Sequence, residues 1–193
     1  MLTGPADLVA EGRIWSLHGM SGDSWKRYRA EGSWYYEVVR PGFKYNMSDL
    51  QASIGLHQLE KLPRFNARRR EVVRRYSEAF GGLEEVQIPT QQPGVEHAWH
   101  LFVLRLNLET LTIDRARFIE ELRTRNIGAS VHFIPIHLHP YYRDKYGFQP
   151  HSFPVAFREY KRIVSLPLNP RLSGEDVEDV IEAVYDVVKL FKR

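Results

Sequence analysis

A long helical pattern in the middle of the chain constrains how the rest can fold. Ser48 and Gln51 have the spacing of a capping box, in which each side chain satisfies a free backbone N–H at a helix start. Apolar residues then recur at helical spacing until the glycine pair 81–82, which predicts the end of the helix. Pro63 lies inside the pattern and predicts a kink or a restart, because proline lacks an N–H and collides with the preceding turn. The sequence therefore predicts a long, two-part helix over residues 48–82.

The residues before this helix carry weaker signals. Ala6–Leu17 spaces its apolar residues loosely as a helix would. Residues 21–44 are rich in aromatic side chains and punctuated by glycines, and Trp34, Tyr36 and Val38 alternate in a way that favours a short strand or an extended loop.

Beyond residue 82 the pattern predicts alternating strands and helices. The expected strands are Ala98–Leu106, Ala129–Phe133 and Arg162–Leu166, and residues 134–154 form a proline- and aromatic-rich loop. The expected helices are one capped by Asp114 and ended by Asn126 and Gly128, a short one over Phe153–Tyr160, and a final one capped by Ser173 and Asp176. This order predicts an α+β fold, with a small, mostly antiparallel sheet and helices on one face.

Composition excludes several classes of protein. The chain has no cysteine, which removes disulfide frameworks, thiolate metal sites and cysteine nucleophiles. No apolar run approaches the roughly 20 residues of a membrane span, and the start of the chain does not have the pattern of a signal peptide. The net charge of +3 is too small to indicate nucleic-acid binding. We therefore expect a soluble, cytoplasmic protein with no membrane or nucleic-acid partner.

One stretch is locally basic. Between Lys61 and Arg75 there are six arginines, with Glu71 as the one acidic residue. A solvated helix face is the favoured interpretation, and a patch that recruits anions is the alternative.

Five histidines fall in two short stretches and raise the question of a metal. They are His97 and His100, then His132, His137 and His139. His137 and His139 would lie on the same side of an extended strand, where both could ligate one zinc ion. However, no acidic or thiolate ligand lies beside them at metalloenzyme spacing, and prolines at 135 and 140 favour a shaped loop that lines a cleft. Partly buried histidines bonded to the backbone are an equally good interpretation for each of them.

The signature of a known family runs through the chain. Residues 41–62, PGFKYNMSDLQASIGLHQLEKL, closely resemble the motif of the DegT-type sugar aminotransferases, which are fold-type I enzymes that use pyridoxal phosphate (PLP). Three further segments follow in family order, namely AWHLFVLRL (98–106), NIGASVHFIPIHLHPYY (126–142) and RIVSLPLNPRLSGEDVEDVIEAV (162–184), and LHGMSGDSWKRY (17–28) precedes them. The resemblance covers nearly the whole chain.

This resemblance implies the C-terminal part of such an enzyme. Residues 1–47 would be the remnant and connecting loops of the large PLP-binding domain. Residues 48–82 would form the long interdomain helix, and residues 83–193 the C-terminal α+β small domain.

The resemblance also implies that the residue that carries PLP is missing. In the family, PLP is held as a Schiff base on a lysine of the N-terminal domain, and that lysine also moves the proton during the reaction. None of the seven lysines of this chain matches that position: Lys26, Lys44, Lys61, Lys145, Lys161, Lys189 and Lys192. We therefore expect a truncated part that is inactive alone.

Five residues are candidates for the active site. The resemblance implies that Asn46 reaches across a dimer interface to the PLP phosphate of the other subunit, and Lys44 is close enough in the chain to add positive charge. It implies that His132, His137 and Tyr45 contact a sugar-nucleotide substrate. The alternative for Asn46 is a turn before the helix.

The function that the resemblance implies is transfer of an amino group from glutamate to a keto sugar nucleotide, or to a related keto-cyclitol, in polysaccharide or related biosynthesis. Two alternatives remain. One is a non-catalytic fragment that dimerises or pairs with a separate PLP-bearing half, and the other is a histidine-rich metal-binding module.

Overall fold

The computed structural model describes residues 4–21 and 35–193. The chain forms two compact units, Met1–Glu60 and Lys61–Arg193. Its helices are α1 (Ala6–Ser16), α2 (Asp49–Phe80), α3 (Arg115–Thr124), α4 (Pro140–Tyr146), α5 (Pro154–Tyr160) and α6 (Gly174–Phe191). Its strands are β1 (Val86–Gln87), β2 (Phe102–Leu106) and β3 (Ile163–Leu166). Nowhere in these described residues is there a helix with the length and apolar character that crossing a bilayer requires.

Helix α2 begins and ends as predicted. The Gln51 N–H donates to Ser48 Oγ at 3.3 Å, and the Ser48 N–H donates to Gln51 Oε1 at 2.9 Å, which confirms the capping box. The predicted restart at Pro63 is wrong, because the helix continues through this residue. Proline removes one backbone donor from a helix of 32 residues, and the bonds of the neighbouring turns remain to hold it.

The core of the C-terminal unit lies between one face of the sheet and three helices. The sheet is antiparallel, in the order β1-β2-β3, with Phe102 opposite Leu166 and Leu104 opposite Val164. Alternate residues of β2 are buried, and they pack with apolar residues of α2, α3 and α6. This confirms the α+β prediction, because the period of two on the strand and the helical stripes meet in one core. The helix residues of the core include Val72, Tyr76 and Phe80 of α2, Phe118 and Leu122 of α3, and Val177, Val180, Val184 and Val187 of α6.

The helix caps predicted in this unit are confirmed. The Arg117 N–H donates to Asp114 Oδ1 at 2.8 Å, and the Asp176 N–H donates to Ser173 Oγ at 3.0 Å. Both helices therefore begin where a short polar side chain satisfies a free backbone donor.

Three strand and loop predictions need correction. The strand expected over Ala129–Phe133 is wrong, because this segment makes a single bridge, between Ser130 and Ser165. The strand expected from Ala98 begins only at Phe102. The expected loop 134–154 contains α4 and two short 3-10 helices, Ile136–Leu138 and Pro150–Ser152. Apolar residues without a pairing partner do not make a strand. A proline also fits the first turn of a short helix, so prolines in this segment do not by themselves indicate a loop.

The N-terminal unit confirms the predicted first helix, which is α1. The alternation through Trp34, Tyr36 and Val38 falls partly on residues 22–34, which lie outside the described residues. What is described is an extended segment, in which Val38 bridges Met20 and Lys44 bridges Leu17.

Candidate functional site

The segment that carries Lys44, Tyr45 and Asn46 is tied to the end of α1 by its backbone. The Phe43 N–H donates to the Trp15 carbonyl at 2.7 Å, and the Tyr45 N–H donates to the Ser16 carbonyl at 2.8 Å. The His18 N–H returns a bond to the Phe43 carbonyl at 2.8 Å. Because these bonds use only the main chain, the side chains of the segment remain available for other contacts.

Side chains on this segment alternate between its two sides. The rings of Phe43 and Tyr45 stack with centroids 5.0 Å apart and planes within 8°. Residues two apart on an extended chain share a side, so Lys44 and Asn46 lie on the side opposite to Phe43 and Tyr45. Both of these side chains are exposed, and neither forms a hydrogen bond or ion pair within residues 4–21 and 35–193. The segment thus presents an amide and an ammonium donor together.

Two glycines hold the segment in place. A Cβ built on Gly42 would lie 2.1 Å from the Gly19 nitrogen, and one built on Gly19 would lie 1.7 Å from the Arg40 carbonyl oxygen. Gly19 also has φ +69°, which strains residues with a side chain. This glycine pair is not predicted to be part of the site, because nothing in the residues HGMSG (18–22) and RPGFKYN (40–46) shows that the two glycines meet.

The donors on this segment fit a phosphate group. An exposed amide N–H and an ammonium group are both donors to phosphate oxygens, and charge makes such bonds stronger than neutral ones. No acidic side chain of the described residues forms an ion pair with Lys44 that a phosphate would have to displace. The Lys44 ammonium and the Asn46 amide are therefore suited to hold a phosphate group.

His132 lies beside β3 in the C-terminal unit. Its Nδ1 is 2.9 Å from Ser165 Oγ, and Ser165 is buried in β3. Ser130 and Ser165 exchange two backbone bonds, at 2.8 and 3.1 Å, which fix the chain next to the histidine. Among the residues that the structure describes, Nε2 has no hydrogen-bond partner and is left for a ligand. The role of Ser165 was not predicted, because a serine in a strand has no distinctive sequence signal.

His137 has a different environment. Only 6% of it is exposed, its Nε2 lies 3.3 Å from the Pro150 carbonyl oxygen, and its ring packs 4.9 Å from the ring of Phe153. A carbonyl oxygen accepts only, so Nε2 carries the proton and donates this bond. This geometry favours a histidine that holds the loop together, and its predicted contact with substrate stays a prediction.

The structure gives no support to the metal-binding alternative. Within the described part of the chain, no three histidine or acidic side chains are grouped as a metal ion would require.

Comparison with solved structures defines the class of protein. The chain matches the putative sugar aminotransferase Spr1654 from Streptococcus pneumoniae, in its PMP form, with a TM-score of 0.84 and 32% identity. This similarity covers 97% of the chain and 46% of the solved one. The fold is that of the C-terminal part of a fold-type I aminotransferase.

The sequence profile of the DegT/DnrJ/EryC1/StrS aminotransferase family matches residues 2–185, and the chain belongs to that family. It is 47% identical over 190 residues to the spore coat polysaccharide biosynthesis protein SpsC of Bacillus subtilis, covering 98% of the chain and 49% of SpsC. It is 50% identical over 189 residues to the uncharacterized protein MJ1066 of Methanocaldococcus jannaschii, covering 97% and 49%. The chain thus spans about half the length of these curated relatives.

Proposed function

We propose that this chain supplies the C-terminal part of a PLP-dependent aminotransferase that moves an amino group from glutamate to a keto sugar nucleotide or a related keto-cyclitol. The observation that supports this most strongly is the family match over residues 2–185, together with sugar aminotransferases among the structural relatives. The 47% identity to SpsC supports a place in polysaccharide biosynthesis.

The residues of this chain would bind and orient the cofactor and the substrate. The Asn46 amide would donate to a phosphate oxygen of PLP across a homodimer interface, and Lys44 would neutralise part of the phosphate charge. The free Nε2 of His132 and the ring of Tyr45, which is 72% exposed, would contact the sugar nucleotide. His137 would contribute mainly by holding the loop 136–153 in shape.

The cofactor would supply the electron sink that stabilises a carbanion at the carbon bearing the amino group. The lysine that carries the cofactor would lie outside this chain, since no lysine here matches its family position. The proposal includes the three segments predicted from the sequence, which are the large-domain remnant 1–47, the connecting helix 48–82 and the small domain 83–193. It also includes a cytoplasmic location.

A specific observation favours one alternative, a non-catalytic partner fragment. Leu50, Ile54, Leu56 and Leu59 of α2 are each more than half exposed in the N-terminal unit. Large apolar side chains exposed this close together on one stretch of helix indicate a surface that another protein covers. A fragment that only associates would use this surface and need no cofactor.

The test is to join the chain to the N-terminal half of SpsC, which would supply the lysine. We expect the hybrid to retain PLP through gel filtration and to convert glutamate to 2-oxoglutarate once per site. With a keto sugar nucleotide present, mass spectrometry should detect transfer of ¹⁵N from labelled glutamate to the sugar. The chain alone should retain no PLP, and a borohydride-stable adduct on one of its lysines would contradict this.

Asn46→Ala in the hybrid tests the phosphate contact. Loss of a hydrogen bond to a charged acceptor, worth about 1.5–3 kcal/mol, should weaken PLP retention about ten- to a hundredfold. Met47→Ala, next along the segment, removes a side chain without a donor and should leave retention unchanged.

Mixing the Asn46→Ala hybrid with a lysine-deficient hybrid tests the cross-subunit role. The heterodimer should contain one intact site and regain PLP binding. If it binds PLP no better than the Asn46→Ala homodimer, Asn46 is a turn residue. A folded hybrid that retains PLP but moves no nitrogen would favour the non-catalytic alternative.

A further inference from the structure

A basic pocket opens on the C-terminal unit between α2 and the loop that joins β3 to α6. Its volume is about 470 Å³, and it is lined by Lys61, Arg64, Phe65, Arg68, Pro170 and Arg171. Residues 61, 64 and 68 are three and four apart along α2, so they share a face of the helix. Arg171 reaches the pocket from the loop, so two separate parts of the fold bring four cations together.

The arginines of α2 outside this pocket have partners. Arg69 donates to Asn66 at 3.1 Å, and Arg74 to Glu78 at 2.7 Å. Arg70 is paired with Glu96, and Arg75 with Glu178. The basic stretch predicted from the sequence is therefore largely neutralised along this part of the helix.

Three cations of the pocket are not neutralised in this way. Within the residues that the structure describes, Lys61, Arg64 and Arg171 form no ion pair, and the guanidinium of Arg64 lies only over the ring of Phe65, at 5.6 Å. Three positive charges around one hollow repel each other, and a bound anion would relieve that repulsion.

The fourth cation of the pocket, Arg68, is held in place by hydrogen bonds and an ion pair. Its Nη2 and Nε donate to the Leu172 carbonyl at 2.6 and 3.2 Å, and its Nη1 lies 2.7 Å from Glu71 Oε2. These bonds tie α2 to the loop, so the backbones that carry Arg64 and Arg171 are held next to each other without a ligand. A preformed site loses less entropy on binding than a flexible one.

We propose that this pocket binds a compact small molecule that carries two linked phosphates. Two arginine forks and one ammonium match the several oxygens and charges of a diphosphate. The side chains of Phe65 and Pro170 give the pocket an apolar wall, against which the organic part of such a molecule would lie. The proposal does not depend on the aminotransferase activity.

The test is calorimetric titration of the full chain with inorganic pyrophosphate at low salt. We expect one site per chain, with an affinity that falls as salt is added. Arg64→Gln and Arg171→Gln should each weaken binding about tenfold, the effect of losing one charge-assisted bond. Lys189→Gln is the matched control, because it removes an exposed cation from α6, outside the pocket. Circular dichroism checks that the variants are folded.

A second measurement reports on the pocket directly. Bound pyrophosphate should protect Lys61 from acetylation and leave Lys189 reactive. A nucleoside diphosphate that competes with pyrophosphate and binds more tightly would identify a nucleotide as the source of the phosphates, while equal affinity would point to the free anion. The proposal is overturned if pyrophosphate does not bind, if all three variants weaken binding equally, or if Lys61 is not protected.

Discussion

Replacing Gly42 by alanine should release the segment that carries Lys44 and Asn46. The new Cβ would lie 2.1 Å from the Gly19 nitrogen and 2.8 Å from the His18 carbonyl carbon. Ordinary contacts between such atoms are about 3.5 Å, so the two backbones would have to separate by more than about 1 Å. Neither neighbour is a side chain that could rotate away.

The size of the effect follows from the bonds across this contact. Separation would break the bonds from the Val39 N–H to the Gly19 carbonyl (2.8 Å) and from the His18 N–H to the Phe43 carbonyl (2.8 Å). It would also strain the bond from the Phe43 N–H to the Trp15 carbonyl (2.7 Å). At about 1 kcal/mol each, the local cost is about 3 kcal/mol. Amide exchange in residues 15–20 and 39–45 should then accelerate about a hundredfold.

Hydrogen exchange read by mass spectrometry measures this segment by segment. Exchange in β2 and α6 should not change. Gly55→Ala is the matched control, because a Cβ there meets nothing within 4 Å and alanine favours the helix by up to about 1 kcal/mol. If Gly42→Ala leaves exchange in residues 15–20 and 39–45 at the level of the unchanged chain, the close approach of the two glycines does not hold this segment.

Two further predictions concern the core of the C-terminal unit. Burial raises the pKa of Tyr76, and its hydroxyl donates to the Pro167 carbonyl at 3.0 Å. Because Tyr76→Phe removes this buried hydrogen bond, it should lower the free energy of unfolding in urea by about 1–2 kcal/mol. The control Tyr185→Phe should lower the free energy of unfolding by less, because Tyr185 is 40% exposed. Equal decreases in the two variants would refute the importance of burial. The Lys192 ammonium lies 2.5 Å from Glu85 Oε1 and lowers the pKa of this buried carboxyl. The carboxylate therefore stabilises the fold fully above the ordinary Glu pKa of about 4.3, and this stabilisation is lost as the pH falls through the lowered pKa. Glu85→Gln should therefore lower the free energy of unfolding at neutral pH and flatten its dependence on pH in the acid range, measured by urea titrations. The control Glu84→Gln, at an exposed neighbour, should leave this pH dependence as it is. An unchanged pH dependence in Glu85→Gln would contradict the ion pair.

Much of the candidate site was predictable from the chain alone. The family motif predicts Lys44, Tyr45 and Asn46 as site residues, and the capping box identified the start of the helix that follows them. What could not be predicted is how the segment is held, because the close approach of Gly19 and Gly42 joins residues 23 positions apart. Likewise, the contact of His132 with Ser165 joins residues 33 positions apart, so no local pattern indicates it.

The sequence by itself determined the elements whose signals are local, namely the capped helices, their apolar stripes and the glycine stop after α2. It also determined the family, because the motifs depend on residue type and order. Only the tertiary structure decided which predicted strands pair, because an apolar run becomes a strand when a neighbour accepts its hydrogen bonds, and Ala129–Phe133 has only one such bridge. The tertiary structure also decided which charges of the basic stretch are neutralised. Arg70 and Arg75 form ion pairs with Glu96 and Glu178, which lie far along the chain. Arg64 and Arg171 instead line a pocket that exists only in the folded chain.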